Sequence, residues 1–166
     1  MEIKTKNIVL SGLLLALGII IPSIFHFTGI NGSIFSPMHI TVLLSGFILG
    51  PILGLIIGIL TPILNFLILG MPPIFILWIM IVELGIYGLA SGILYKKIKL
   101  SIYPSLICSM IIGRLGSGIW SFILVNLLGL KVQSPILFLK GATIGAIPAI
   151  ILQIILIPIL VKIYER

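Results

Sequence analysis

The sequence predicts an all-α integral membrane protein, a six-helix transmembrane bundle, and three observations carry that prediction. Of its 166 residues 60% are hydrophobic and only 8% charged; the mean hydropathy is +1.43. Such a chain has too little polar surface to dissolve as a globule. Proline and glycine breakers divide it into segments near the roughly 20 apolar residues that a span requires. The basic residues gather at segment ends, where headgroups and topology place them, and form no soluble patch. The net charge of +7 therefore points to a lipid bilayer and away from nucleic acid as a partner.

Residues 7–27 form the first candidate span. Lys4 and Lys6 ahead of an apolar run resemble a secretory signal. No small-residue cleavage site follows, and further spans come directly after, so the segment is read as a retained helix. Turn-forming small and amide residues make 28–36 a loop. Residues 37–49 are too few to cross upright, so this second candidate is either extended by loop residues or incompletely spanning. Gly50-Pro51 is a sharp break that opens the third candidate, 51–69, and Gly70-Met71-Pro72-Pro73 is another that opens the fourth, 72–95. The fifth candidate covers 101–128 and the sixth 139–163. Together they make a single membrane domain over 1–166.

Charge orients the bundle. An even number of spans puts both termini on one side, together with the loop of Lys96, Lys97 and Lys99. That side carries Lys4, Lys6, Lys96, Lys97, Lys99, Lys162 and Arg166, against Lys131 and Lys140 on the other. The excess predicts cytoplasmic termini and a multi-pass protein of the cell membrane.

Several functions are excluded by what the chain lacks. It has no G-x-x-x-x-G-K-[ST], no H-E-x-x-H, no G-x-S-x-G and no paired carboxylates, so it reads as neither an enzyme nor a nucleotide hydrolase, with no cofactor. The single cysteine, Cys108, lies in an apolar run and reads as a buried, inert thiol. His26 and His39 flank the first outer loop without a thiol or carboxylate beside them in sequence, so no metal site is expected. Interfacial polar residues and pocket-lining residues both remain readings for them.

Small residues recur at four-residue spacing: Gly12-xxx-Ala16, Gly50-xxx-Gly54-xxx-Gly58, Gly88-xxx-Gly92 and Gly141-xxx-Gly145. In lipid this spacing makes flat stripes along which helix backbones approach closely. Packing inside the bundle is the expected role, with one stripe left to face a partner protein.

The functional clue is charge inside the membrane. Of three acidic residues, Glu2 and Glu165 lie at the termini, leaving Glu83 as the single interior carboxylate and Arg114 as its one strong partner. Glu83 lies roughly 16 Å from the outer end of its helix and Arg114 roughly 20 Å from the inner end of its own. In a core of about 30 Å these depths nearly coincide. Ionisable groups in hydrocarbon cost roughly 2.5–3.5 kcal/mol each, so they mark a pathway, a ligand or a pair. Two readings stand, a structural ion pair locking two helices and a ligand site.

Other polar groups converge on the same interior. Ser117, Gly118 and Ser121 share the helical face of Arg114. Thr61 and Asn65 continue the face of Gly54 and Gly58, while Thr143 and Gln153 lie inside the last span. Trp78 and Asn126 lie toward outer helix ends. For Asn65, Asn126 and Gln153, interhelical hydrogen bonding stands beside ligand contact. A small polar ligand in an otherwise apolar pocket is held by such a set.

The first helix with Gly12-xxx-Ala16 is followed by Phe35-Ser-Pro-Met-His-Ile40 and then Ser45-Gly-Phe-Ile-Leu-Gly-Pro-Ile-Leu-Gly54. Later come Glu83-Leu-Gly-Ile-Tyr-Gly88, running on to Gly92, and Gly113-Arg114. Together, over nearly the whole chain, these resemble a substrate-capture S component of an energy-coupling-factor (ECF) transporter, the family of vitamin importers. The turn between the second and third spans is the strongest part of the likeness.

That resemblance implies a six-helix protein that binds a small water-soluble vitamin from outside. It then docks on a membrane coupling subunit carrying two ATPase subunits and topples to face inward. The family's docking motif is Ala-xxx-Ala on the first helix; here Gly12 replaces the first alanine and Ala16 keeps the second. Ligand contacts are implied from the outer loops and outer halves of the last three spans. The candidate substrate-binding set is Glu83, Arg114, Trp78, Ser117, Asn126, Thr143, Asn65 and His39. A pantothenate-like carboxylate suits a bidentate contact from Arg114 and is favoured. A pyridoxine-like ring between Glu83 and Arg114, stacked on Trp78, comes next. The alternative is a membrane scaffold resembling the small six-span proteins of cell-wall elongation complexes, with protein partners only. A proton-coupled carrier working through Glu83 lacks a second relay residue.

Overall fold

In a computed structural model, residues 5–28, 35–126, 140–141 and 143–165 are described. Their regular structure is helical, with no strand among them. The helices are α1 (Thr5–Phe27), α2 (Pro37–Leu49), α3 (Pro51–Leu69), α4 (Ile74–Gly92), α5 (Ile102–Asn126) and α6 (Ile147–Glu165), with a π-turn, Ile93–Lys97, extending α4. Five are long and apolar enough to cross a membrane, α4 being counted with its π-turn.

The sixth, α2, is short, as its sequence segment was expected to be. Its 13 residues extend only about 20 Å at 1.5 Å per residue, short of a core of about 30 Å. In the last expected segment, residues 140–141 and 143–144 are also helical. Residues 145–146 form a turn, and α6 begins at Ile147, where Pro148, lacking a backbone donor, is tolerated in a first helical turn. The fifth candidate's last two residues, 127–128, the loop at 29–34 and Lys131 lie outside the described residues.

The breakers act as their chemistry requires. Gly50, between α2 and α3, has φ 91°, a conformation that favours glycine, and Pro51 follows at the first position of α3. Gly70 ends α3 in the left-handed region at φ 69°, its N–H donating to Phe66 O.

Helix α4 is the hub and packs against α2, α3 and α5, while α1 lies on α2 and α3 and α6 touches α2 and α5. Glycine stripes make the central contacts. A Cβ at Gly54 or Gly58 would run into the α4 backbone at Gly88 or Leu84, and one at Gly92 into Pro51. The apolar core fills in around them with Val42, Leu43, Phe47, Ile57, Leu84 and Tyr87. Outward faces are apolar too, as Ile111, Leu115, Ile119 and Phe122 along α5 are all exposed. A continuous apolar exterior of this kind suits lipid. Cys108 lies on that exterior rather than in the core, correcting the buried reading: an apolar sequence context does not distinguish the lipid-facing side from the packed side.

Two contacts bring chain ends together. Lys6 Nζ lies 5.4 Å from the centre of the Tyr164 ring, and Tyr95 OH donates to Glu165 Oε2 at 2.7 Å. The start of α1, the end of α4 with its lysines, and the end of α6 thus share one end of the bundle.

Candidate functional site

Glu83 is the tenth of the 19 residues of α4 and Arg114 the thirteenth of the 25 of α5. Both stand at the middle of their helices, and the structure brings them together: Arg114 Nη1 donates to Glu83 Oε1. The Glu83 side chain is 2% exposed and that of Arg114 17%. Taken out of water, such a pair is held by mutual attraction, and loss of one partner typically costs about 3–5 kcal/mol.

Two further groups close on the same oxygen. Tyr87 OH donates to Glu83 Oε1 at 3.2 Å. Tyr87 lies four residues after Glu83, one helical turn away on the same face. His39 Nε2 lies 3.7 Å from Glu83 Oε1, too far for a hydrogen bond, and neither ring nitrogen of His39 has a hydrogen-bond partner. The imidazole packs edge-on to the Tyr87 ring, with centres 5.4 Å apart.

The local sequence explains this assembly. A Cβ at Gly113 would overlap the Tyr87 ring, so the Gly113-Arg114 pair does two things: the glycine admits the ring between α4 and α5, and the arginine meets the carboxylate. His39 arrives through the shortness of α2. Ser36 takes a left-handed turn at φ 43°, Pro37 starts the helix, and His39 is its third residue. From there α2 runs parallel to the second half of α4, with Gly46 reaching Gly88 and Ser91. The helix thus begins beside the middle of α4, which makes His39 a buried member of the cluster rather than an interfacial residue.

The remaining candidates lie elsewhere. Ser117 is buried one turn from Arg114, whose carbonyl its hydroxyl bonds at 3.0 Å. Trp78 is half-exposed, and its carbonyl accepts from Trp120 Nε1 at 3.0 Å. Asn126 is exposed and donates to Phe122 O; Thr143 is exposed. Asn65 is fully buried, but its amide nitrogen donates to Gly18 O on α1 and to Thr61 O, an interhelical tie away from the charged cluster. Tyr87 is the residue that sequence reasoning missed; its spacing of four from Glu83 was the available signal.

A cavity of about 270 Å³ opens between α1, α2 and α6, lined by residues including Leu14, Phe25, Ile40 and Leu156. Thr41 is its one polar lining residue, so it suits hydrocarbon and not a water-soluble ligand. Among the described residues no group of His, Cys, Asp and Glu could hold a metal ion.

No curated protein and no solved structure matches this chain significantly. The family described as "ECF transporter, substrate-specific component" matches residues 6–161, a range that includes all six helices but for their extreme ends. With a helical bundle whose exterior is apolar and a polar cluster at its middle, the chain belongs to the substrate-specific components of ECF transporters.

Proposed function

We propose that this component captures a small water-soluble vitamin or vitamin precursor with high affinity, and that Glu83, Arg114, His39 and Tyr87 form the polar floor of its site. Family membership makes the chain a transport component and not an enzyme, and it sets aside the scaffold reading. The observation that carries the proposal is His39: 6% exposed, beside a buried ion pair, with both ring nitrogens unpartnered. Buried polar groups are normally satisfied, so an unsatisfied one beside the family's expected binding region suits a group kept for a ligand.

In this reading the protein is one membrane domain over residues 1–166 with cytoplasmic termini. Trp78, Ser117, Asn126 and Thr143 contribute from the outer half of the bundle, while Asn65 serves as the interhelical tie between the third helix and α1. The substrate candidates are a pantothenate-like carboxylate on Arg114 and a pyridoxine-like ring between Glu83 and Arg114. The Gly12-xxx-Ala16 stripe docks on the membrane coupling subunit, which carries two ATPase subunits. Both residues are exposed, and a Cβ at Gly12 would meet nothing within 4 Å, as an outward-facing surface requires.

The test is a thermal-shift and native mass-spectrometry screen of the purified chain against a panel of water-soluble vitamins. A single tight hit that is lost in Arg114→Gln is expected. A hit that keeps its affinity in Arg114→Gln would remove the cluster from the site.

A further inference from the structure

We infer that the Glu83–Arg114–His39 cluster selects a substrate without net charge, a small molecule presenting hydroxyl or amide groups, over a carboxylate. The inference rests on the reading of this cluster as the binding site.

Charge balance comes first. Glu83 and Arg114 neutralise one another through the Nη1–Oε1 contact, and no other Asp, Glu, Lys or Arg occurs in α2, α3, α4 or α5. A carboxylate brought onto Arg114 would place a second anion beside Glu83. Two carboxylates sharing one cation leave a buried charge uncompensated, which is costly where water does not screen it. A neutral ligand adds no such charge.

Hydrogen-bonding capacity points the same way. The hydrogen bonds from Arg114 and Tyr87 both fall on Glu83 Oε1, and a carboxylate, with two oxygens, can accept further donors. The imidazole of His39 has two ring nitrogens that can hydrogen-bond, and neither has a hydrogen-bond partner. Only Nη1 of the Arg114 guanidinium bonds Glu83, and the planar fork carries further donors. A hydroxyl or amide both donates and accepts, so it can serve all three groups. A carboxylate only accepts, so it offers no hydrogen bond to the Glu83 carboxylate.

The experiment is calorimetric titration of the detergent-solubilised full chain with matched acid and neutral probes: nicotinate with nicotinamide, pantothenate with pantothenol, and 4-pyridoxate with pyridoxine. In the pair that binds, the neutral member is expected to bind about 100-fold more tightly. Glu83→Gln, which frees Arg114, is expected to reverse that preference. An acid that binds as tightly as its neutral partner in the wild-type protein overturns the inference, and this comparison stands alone if Glu83→Gln does not fold. Where the preferred acid is lost in Arg114→Gln, the charge selection fails while the site survives. Binding indifferent to Arg114→Gln, or no binding by any probe, overturns the site and the inference together.

Discussion

Asn65 donates to the carbonyl of Gly18 at 2.9 Å, and Gly18 is the residue whose helical donor is missing because Pro22 stands four positions on. Proline removes the N–H that would close that turn of α1, and in a membrane no water replaces it. The third helix supplies the missing donor. A Cβ at Gly18 would approach Thr41 Oγ1 and Thr61 Cγ2 to 3.0 Å, so the glycine also lets α1 settle against both neighbours.

Replacing Asn65 with Leu is accordingly expected to destabilise the bundle by about 1–2 kcal/mol, the cost of an unmet buried carbonyl. Pro22→Ala restores the helical donor, so the cost of Asn65→Leu should shrink in that background. Thermal unfolding in detergent of the two singles and the double measures the coupling. Additive effects would mean that the Asn65–Gly18 bond does not replace the missing donor.

Arg114→Gln alone leaves Glu83 buried without its cation and is expected to destabilise by about 3–5 kcal/mol. Glu83→Gln with Arg114→Gln should recover most of that stability without recovering ligand affinity. Arg114→Lys should also bind poorly, because a point charge does not reproduce the planar fork. Melting temperature and ligand titration on the singles and the double decide the matter. A double mutant that melts normally and binds at wild-type affinity would make the pair purely structural.

Gly113→Ala places a methyl where the Tyr87 ring lies. Overpacking of this kind costs about 1–3 kcal/mol, and here it must also move the hydroxyl that bonds Glu83. Weaker ligand binding is expected alongside a lower melting temperature. Tyr87→Phe, which keeps the ring and removes only the hydroxyl, should melt nearly as the wild type does, and this contrast separates the two effects.

Docking is tested by Gly12→Leu combined with Ala16→Leu. Both positions face outward, so co-purification with the coupling subunit should be lost while ligand affinity stays within about threefold, the range of less than 1 kcal/mol expected of a surface change. Loss of ligand binding together with docking would reassign the stripe to internal packing.

Orientation is read by thiol labelling of Lys97→Cys and Lys131→Cys in a Cys108→Ser background, needed because Cys108 is exposed. Opposite sides are expected, with position 97 cytoplasmic, following the lysine asymmetry. Labelling from one side would overturn the topology.

The sequence by itself determined the class of the molecule and most of its helices. Apolar runs of span length, interrupted by Gly50-Pro51 and by Gly70 through Pro73, require helices in lipid, since only helices there satisfy their own backbone. The bounds of α3, Pro51–Leu69, and of α2, Pro37–Leu49, follow from such local chemistry. Glu83 and Arg114 were legible for the same reason: a charge in hydrocarbon is conspicuous wherever it stands. The tertiary structure decided which groups meet. That His39 reaches the middle of the bundle depends on where α2 starts against α4, a relation between helices that no local signal encodes. That Cys108 faces outward while Ser109 is buried depends on helix rotation, and a helix apolar on every side gives the sequence no amphipathic stripe from which to read it. Asn65 and Tyr87 were likewise ordinary polar residues until packing set one against Gly18 and the other against Gly113. Hydrophobicity fixes what lies in the membrane, but the close approach of backbones and side chains across helices fixes what those helices hold between them.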